Sequence, residues 1–182
     1  MTVLRTERLT LRPISLTDHA VVLAHWTAPR VCRFLFDGKA PTPARVSEFI
    51  TASERDFATA GYGLWAMRLA GNELIGTAGL RPLDEGDGGE RGETEIIYSL
   101  EPAYWGRGFA AEAVRAVLAH AFEVVALDRV IAEIDEGNNA STALARRLGM
   151  RLVGETPGEL GRLFQYAITR AEWLGSRREA VD

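Results

Sequence analysis

Two glycines, Gly106 and Gly108, separate an apolar strand pattern at residues 94–100 from the strongest amphipathic helix pattern of the chain, at residues 108–125. Glycine permits backbone conformations in which successive N–H groups converge on one point. The first turn of the helix adds N–H groups without a partner inside the helix, together with the positive end of its dipole. This succession of strand, turn and helix predicts an anion-binding site, and a pyrophosphate is the ligand that suits it best. In the alternative interpretation the two glycines only shape the turn.

The spacing of these glycines differs from both common nucleotide-binding motifs. A P-loop has four residues between its glycines and then continues with Lys and Ser or Thr. A dinucleotide-binding loop needs a third glycine at the place where this chain has Ala111. The predicted anion site therefore belongs to neither of these classes.

The spacing of apolar residues along the rest of the chain predicts a mixed sheet with helices. The predicted strands lie at residues 9–12, 64–69, 74–80, 94–100, 129–135, 151–155 and 163–169. The predicted helices lie at residues 15–25, 43–60, 108–125 and 140–148, with an exposed loop at 84–92 and a turn at 156–159. The strands at 94–100 and 129–135 flank the long helix, so we expect them to lie parallel and to form the functional site.

Composition limits the partners of the chain. Its 182 residues and formal net charge of −4 suit one domain at residues 1–175 with a polar tail at 176–182. One cysteine, Cys32, and three scattered histidines give neither a disulfide framework nor a metal-ligand spacing, so we expect a reducing, cytoplasmic setting and no metal. The lack of a basic cluster and of a long apolar segment argues against nucleic-acid and membrane partners.

Three segments resemble the GNAT acetyltransferases, in the same order along the chain. Residues 104–113 resemble the loop that binds the pyrophosphate of acyl-coenzyme A. Residues 6–13, with Asp18, resemble the opening of the RimJ/RimL-like branch, which acetylates the N-termini of ribosomal proteins. Residues 138–150 resemble the Asn-x-x-Ser helix of that branch.

The resemblance implies an α+β fold of GNAT type. We expect a twisted, mostly antiparallel sheet of about seven strands with one splayed parallel pair, flanked by about four helices. Acetyl-CoA is the implied cosubstrate, and an amine attacks its thioester directly in a ternary complex, with no metal. The chain itself would be a monomer or a homodimer.

The resemblance also implies which residues bind the coenzyme. The glycine turn and the start of the helix would hold the pyrophosphate through Gly106, Arg107, Gly108, Phe109, Ala110 and Ala111. The preceding strand end would pair its main chain with the pantetheine arm at Tyr98, Ser99 and Leu100. Asn138 would fix the pantetheine or Ser141, although both residues also fit a helix cap, and Tyr98 also fits a core aromatic. Trp105 departs from the superfamily loop, which has Gln or Arg at that place.

The chemistry requires a neutral amine. An α-amine has a pKa near 8, so its deprotonation at pH 7 costs about 1.4 kcal/mol, whereas a lysine near 10.4 costs about 4.6 kcal/mol. A weak general base is sufficient to deprotonate an α-amine. Glu95 is the preferred candidate for this base, and Glu133 is the second. Either carboxylate would instead be structural if it faced solvent or paired with an arginine.

The leaving thiolate has no obvious proton donor. The family often has a tyrosine seven residues after the motif asparagine, but this chain has Ala145 there. Ser141 is the substitute candidate. Glu112 and Arg115 are predicted to lie on the solvated face of the long helix.

The acceptor remains open. A peptide or protein N-terminal amine is the first expectation, and a small-molecule amine of antibiotic, polyamine or amino-acid type is the alternative. Trp26, Phe34, Phe36 and Trp65 fit either the wall of the amine pocket or the core. A hypothesis of another class is a coenzyme A-binding sensor without turnover.

Overall fold

The structure, a computed structural model, describes residues 2–83 and 92–179, with the backbone alone for 177–179. Its strands are β1 (Leu4–Arg5), β2 (Thr10–Pro13), β3 (Leu64–Arg68), β4 (Leu74–Pro82), β5 (Thr94–Leu100), β6 (Arg129–Asp135), β7 (Arg151–Gly158) and β8 (Gly161–Thr169). Its helices are α1 (His19–Thr27), α2 (Pro29–Leu35), α3 (Pro43–Thr59), α4 (Phe109–Ala119), α5 (Asn139–Arg147) and α6 (Arg170–Glu179). The predicted loop at 84–92 falls outside the described residues at positions 84–91.

The strands of the described chain follow the order β1-β2-β3-β4-β5-β6-β8-β7 in one mostly antiparallel sheet. The parallel pair is β5 with β6, in which Glu95 lies opposite Ile131. The predicted fold class is therefore confirmed, with eight strands and six helices in place of about seven and four.

Two compact units make up the chain, and the first comprises residues 1–81 and 97–117. Its core joins α1 and α3 to strands β3 and β4 through apolar side chains. The members are Ile14, Val22, Trp26, Val46, Ile50, Leu64, Ala66 and Leu74. Trp26, Phe36 and Phe49 pack ring against ring at 5.5–5.8 Å between centroids. Trp26 and Trp65 are buried, so both belong to the core and not to an exposed pocket wall.

The second unit comprises residues 82–96 and 118–182. Strand β8 pairs antiparallel with β6 on one side and with β7 on the other. Helix α6 is fixed to the chain around residue 122, because the Arg170 guanidinium donates to the Phe122 carbonyl at 2.9 Å and Trp173 packs on the Phe122 ring. This helix includes residues 176–179, which the sequence placed in a polar tail.

Two predicted boundaries were wrong for identifiable reasons. The turn predicted at 156–159 lies instead at residues 159–160, since β7 continues through Pro157 to Gly158. An edge strand tolerates proline because one side of its main chain needs no partner. The long helix ends as an α-helix at Ala119 and continues as one π-helical turn, in which the Val125 N–H reaches the His120 carbonyl.

Helix α4 is tied to the N-terminal segment by a half-buried carboxylate. Glu112 accepts the Thr6 hydroxyl at 2.5 Å, the Arg8 main-chain N–H at 2.8 Å and the Arg8 Nε–H at 2.7 Å. The prediction of a solvated Glu112 is therefore wrong, because its side chain is only 17% exposed. Burial raises the pKa of this carboxyl, but the hydrogen bonds from Thr6 and Arg8 outweigh it and lower the pKa below the usual 4.5.

We expect Glu112→Gln to reduce the free energy of unfolding at pH 7 by about 1–2 kcal/mol, because charge-assisted bonds become neutral ones. A carboxyl with a depressed pKa stabilises the fold above its unfolded pKa, and this contribution disappears as the pH falls through the folded value. Urea unfolding curves should therefore differ at pH 7 and converge as the pH falls through the depressed pKa of Glu112.

Glu48→Gln is the matched control. Glu48 pairs with Arg45 on an exposed helix face, so its loss should change the free energy of unfolding by less than about 0.5 kcal/mol. An equal effect of the two substitutions at pH 7 would contradict the role given to Glu112.

Candidate functional site

The turn between β5 and α4 needs glycine at two positions. Gly106 has φ +72° and Gly108 has φ +80°, in the left-handed region that other residues adopt only with strain. A Cβ at Gly106 would have open space, so backbone conformation and not crowding selects glycine there. A Cβ at Gly108 would lie 3.4 Å from the Arg8 guanidinium, which places that cation beside the turn.

The main-chain N–H groups of this turn fall into two sets. Those of Tyr104 and Trp105 donate to carbonyls of the preceding turn, at 2.9 and 3.3 Å. Within the helix, the N–H of Glu112 donates to the Gly108 carbonyl at 3.0 Å. This is the first hydrogen bond of the helix, so the N–H groups of residues 108–111 have no acceptor inside the helix.

Side chains around the turn hold it in place and keep it cationic. The Arg107 guanidinium lies over the rings of Tyr104 and Phe109, at 5.4 and 5.1 Å from their centroids. Arg8 also lies over the Phe109 ring, 4.3 Å from its centroid, and donates to the Arg107 carbonyl at 3.0 Å. The turn thus has two guanidinium groups beside its glycines.

Trp105 stands where the superfamily has a cation or an amide, and it has a different function here. Its Nε1–H donates to the Leu100 carbonyl at 2.7 Å, which fastens the turn to the end of β5. The indole is 44% exposed, and the Arg30 guanidinium lies 4.4 Å from its centroid. The end of β5 and the glycine turn, both predicted as coenzyme-binding segments, are therefore in direct contact.

The strand end itself carries a chain of buried polar groups that sequence reasoning missed. The Ser99 hydroxyl lies 2.8 Å from Nε2 of His25, and Nδ1 of His25 lies 2.7 Å from the Glu101 carboxylate. The Thr77 hydroxyl lies 2.9 Å from Ser99 and accepts the Trp26 indole N–H at 3.1 Å. No local pattern could reveal this chain, because His25 is 74 residues from Ser99 in sequence.

The environment of His25 favours the neutral imidazole. Burial lowers the pKa of the imidazole below its usual 6.5, although the hydrogen bond and the charge of Glu101 act in the opposite direction. Ser99 and Leu100 are buried at 9% and 8% exposure, whereas Tyr98 is half-buried.

In the second unit, the two candidate bases share one sheet face. Glu95 lies opposite Ile131, and Glu133 follows Ile131 by two residues, so alternation places both carboxylates on the same side. Glu95 is only 4% exposed, which excludes the interpretation that it faces solvent. Glu133 is half-buried and pairs in register with Gln165.

Asn138 and Ser141 lie together at the start of α5. The Asn138 side-chain oxygen accepts the Ser141 main-chain N–H at 3.3 Å, which is an N-cap bond. The structural alternative is thus realised for Asn138, and a role toward the coenzyme stays a prediction for both residues. Ala145 is buried and supplies no acid.

Within the described residues, no cluster of three or more His, Cys, Asp or Glu side chains is placed to hold a metal ion. No helix in the same part of the chain has the length and apolar character to cross a membrane. Cys32 is a free thiol and is buried.

Comparison with known proteins identifies the family. The model of the acetyltransferase (GNAT) domain matches residues 8–151. The "Uncharacterized N-acetyltransferase p20" of Bacillus licheniformis is 28% identical, and the match covers 96% of this chain and all of that one. The "FsC-acetyl coenzyme A-N(2)-transacetylase" of Aspergillus fumigatus is 31% identical over 66% of this chain and 56% of its own.

A solved structure agrees with this result. The acetyltransferase of Agrobacterium tumefaciens str. C58 superimposes with a TM-score of 0.77 at 27% identity, over 92% of this chain and 94% of that one. The chain therefore belongs to the GNAT acetyltransferase family and is an acyltransferase.

Proposed function

We propose that this chain transfers an acetyl group from acetyl-CoA to a primary amine by direct attack in a ternary complex. The observation that carries the proposal is the pair of left-handed glycines, which precede main-chain N–H groups without acceptors in their helix. Donors of this kind, beside the guanidinium groups of Arg8 and Arg107, suit the two negative charges of a pyrophosphate.

The coenzyme would be held by residues 106–111 at its pyrophosphate and by the main chain of residues 98–100 at its pantetheine arm. The Trp105 bond to the Leu100 carbonyl supports this division, since it fixes the two segments to each other. The thioester supplies the acetyl group. Asn138, as the cap of α5, would position Ser141 or the arm.

Two carboxylates are proposed for proton removal from the amine, with Glu95 preferred and Glu133 second. The burial of Glu95 supports this choice, because it holds the carboxylate out of bulk water on the strand that pairs with β6. Ser141 is proposed as the proton donor or hydrogen-bond donor to the leaving thiolate, a role that buried Ala145 cannot fill.

The proposed acceptor is a peptide N-terminal amine, as in the RimJ/RimL-like branch. The energetic argument supports it, because an α-amine is deprotonated at neutral pH at about one third of the cost for lysine. The structure also explains the opening motif typical of that branch, in which Thr6 and Arg8 hold the helix of the glycine turn. A single domain, a cytoplasmic setting and a monomeric or dimeric state remain parts of the proposal.

A small-molecule amine is the second candidate acceptor. The Aspergillus fumigatus relative, whose name specifies N(2)-transacetylation with acetyl coenzyme A, favours it. Release of coenzyme A from acetyl-CoA by the purified chain, measured with a panel of peptides and small amines, separates the two. Coenzyme A binding with no release across the whole panel would instead favour a sensor without turnover.

We predict that Gly106→Ala weakens coenzyme A binding about tenfold. Alanine at positive φ costs about 1–2 kcal/mol, and relief of this strain rotates the neighbouring N–H groups away from the anion. Titration calorimetry measures the affinity. Gly71→Ala is the matched control, because Gly71 also has open space but no positive φ, and its affinity should equal that of the wild type. Equal affinities of all three proteins for coenzyme A would contradict the proposed pyrophosphate site at residues 106–111.

We predict that Glu95→Gln lowers kcat about 100-fold, the scale of a lost general base, while the affinity for coenzyme A is retained. Glu133→Gln, on the same sheet face, tests the second candidate in parallel. Steady-state rates with the best amine of the panel, beside calorimetry, measure both effects. A loss in Glu133→Gln alone would transfer the role of the base to Glu133.

A further inference from the structure

The hydrogen bonds at the end of β5 form a chain with one direction. At one end, the Trp26 indole can only donate, and it donates to Thr77. At the other end, the Glu101 carboxylate can only accept, so it takes the Nδ1–H of His25. A neutral His25 protonated at Nδ1 accepts at Nε2, so the Ser99 hydroxyl must donate to it, and Thr77 must donate to Ser99.

The two charged or titratable members of this chain, His25 and Glu101, differ in their access to water. The His25 side chain is 1% exposed, whereas the Glu101 side chain is 34% exposed. A proton that enters at the Ser99 hydroxyl can therefore pass to Nε2 of His25, while the Nδ1 proton reaches a carboxylate in contact with solvent. This is the arrangement of a nucleophile or proton relay, a base and an orienting carboxylate.

Acetylation of an ammonium group needs more than one proton acceptor. One proton must leave before the nitrogen can attack, and a second must leave after the C–N bond has formed and the C–S bond breaks. The coenzyme A thiolate takes up one of them, so one proton per turnover must reach water. Glu95, the proposed base, is assigned the second proton, the one that balances protonation of the thiolate, because at 4% exposure it is buried away from water.

We propose that Ser99, His25 and Glu101 form the relay that carries the first proton of the bound ammonium group to solvent. The inference rests on the proposed function, because the acceptor meets the relay only if the acyl arm runs along residues 98–100. Ser99 gives its hydroxyl proton to Nε2 of His25 as it takes the proton of the amine. Glu101 stabilises the resulting imidazolium, whose Nδ1 proton leaves through the carboxylate. The ring then carries its proton on Nε2 and must return to the Nδ1-protonated form before the next turnover.

Glu101 is the charged group that acts on the pKa of His25. On the elements that pack against α1, several charged side chains contact other groups: Arg30 lies over Trp105, Arg33 over Phe34, Arg45 pairs with Glu48, Arg55 with Asp56, and Asp18 with Arg68. The remaining neighbours in the chain, Ser99, Thr77 and Trp26, are uncharged. The pKa of His25 therefore depends on its burial and on Glu101.

The direction of the chain is tested first, without any acceptor. The sequence has three histidines, so nitrogen-15 histidine spectra with and without the His25→Gln substitution identify the ring. At pH 7 the expected state of His25 is neutral with the proton on Nδ1. An Nε2-protonated ring or an imidazolium at pH 7 would overturn the relay, because neither accepts from Ser99.

The kinetic test uses the amine of the panel with the highest rate. His25→Gln should lower kcat about 100-fold and leave the KM for acetyl-CoA within twofold. His19→Gln is the matched control and should match the wild type, because the His19 ring lies 2.9 Å from the Pro43 carbonyl, away from the relay. If His25→Gln had the kcat of the wild type, the relay would be overturned. The proposed function would still stand, because it depends only on acetylation by the wild-type protein.

The pH profile keeps the proposal testable if His25→Gln fails to fold. Glu101 raises the pKa of His25, so Glu101→Gln should move the acid limb of kcat/KM for the amine to lower pH. A purely structural role would leave the limb in place, and that result would overturn the relay. Absence of acetylation of every amine by the wild type would defeat the proposed function, and the relay with it.

Discussion

The left-handed backbone at Gly106 and Gly108 is the constraint on which the rest of the site depends. It allows the chain to leave β5, turn sharply and begin α4 with main-chain donors that the helix does not use. The surrounding contacts maintain this conformation. Trp105 fastens the turn to the strand, and Glu112, through Thr6 and Arg8, fastens the helix to the N-terminal segment.

These contacts give a physical reason for the three segments that resemble the family. The opening segment and the glycine turn are far apart in sequence but meet at Glu112, 106 residues from Thr6. The third segment is explained locally, because Asn138 caps α5 and accepts the N–H of Ser141 in its first turn. Motifs that are read as signs of function are thus also the residues that hold the local backbone in shape.

Sequence reasoning succeeded where local chemistry decides the structure. The helix at residues 43–60, the successive strands at 64–69 and 74–80 and the parallel pair of β5 and β6 follow from short patterns and from the handedness of crossovers. It failed where distant partners decide. Glu112 looked solvated because only α4 was considered, and His25 attracted no notice because Ser99 and Glu101 lie far along the chain. The seven-residue helix α2 is too short to show a periodic pattern.

The central claim is that the amides of residues 106–111 bind the pyrophosphate of coenzyme A. A crystal structure of the chain with coenzyme A tests it most directly. The account predicts pyrophosphate oxygens within about 3.2 Å of the main-chain nitrogens at the start of α4. A coenzyme bound elsewhere, or amides already paired with carbonyls of the protein, would contradict it.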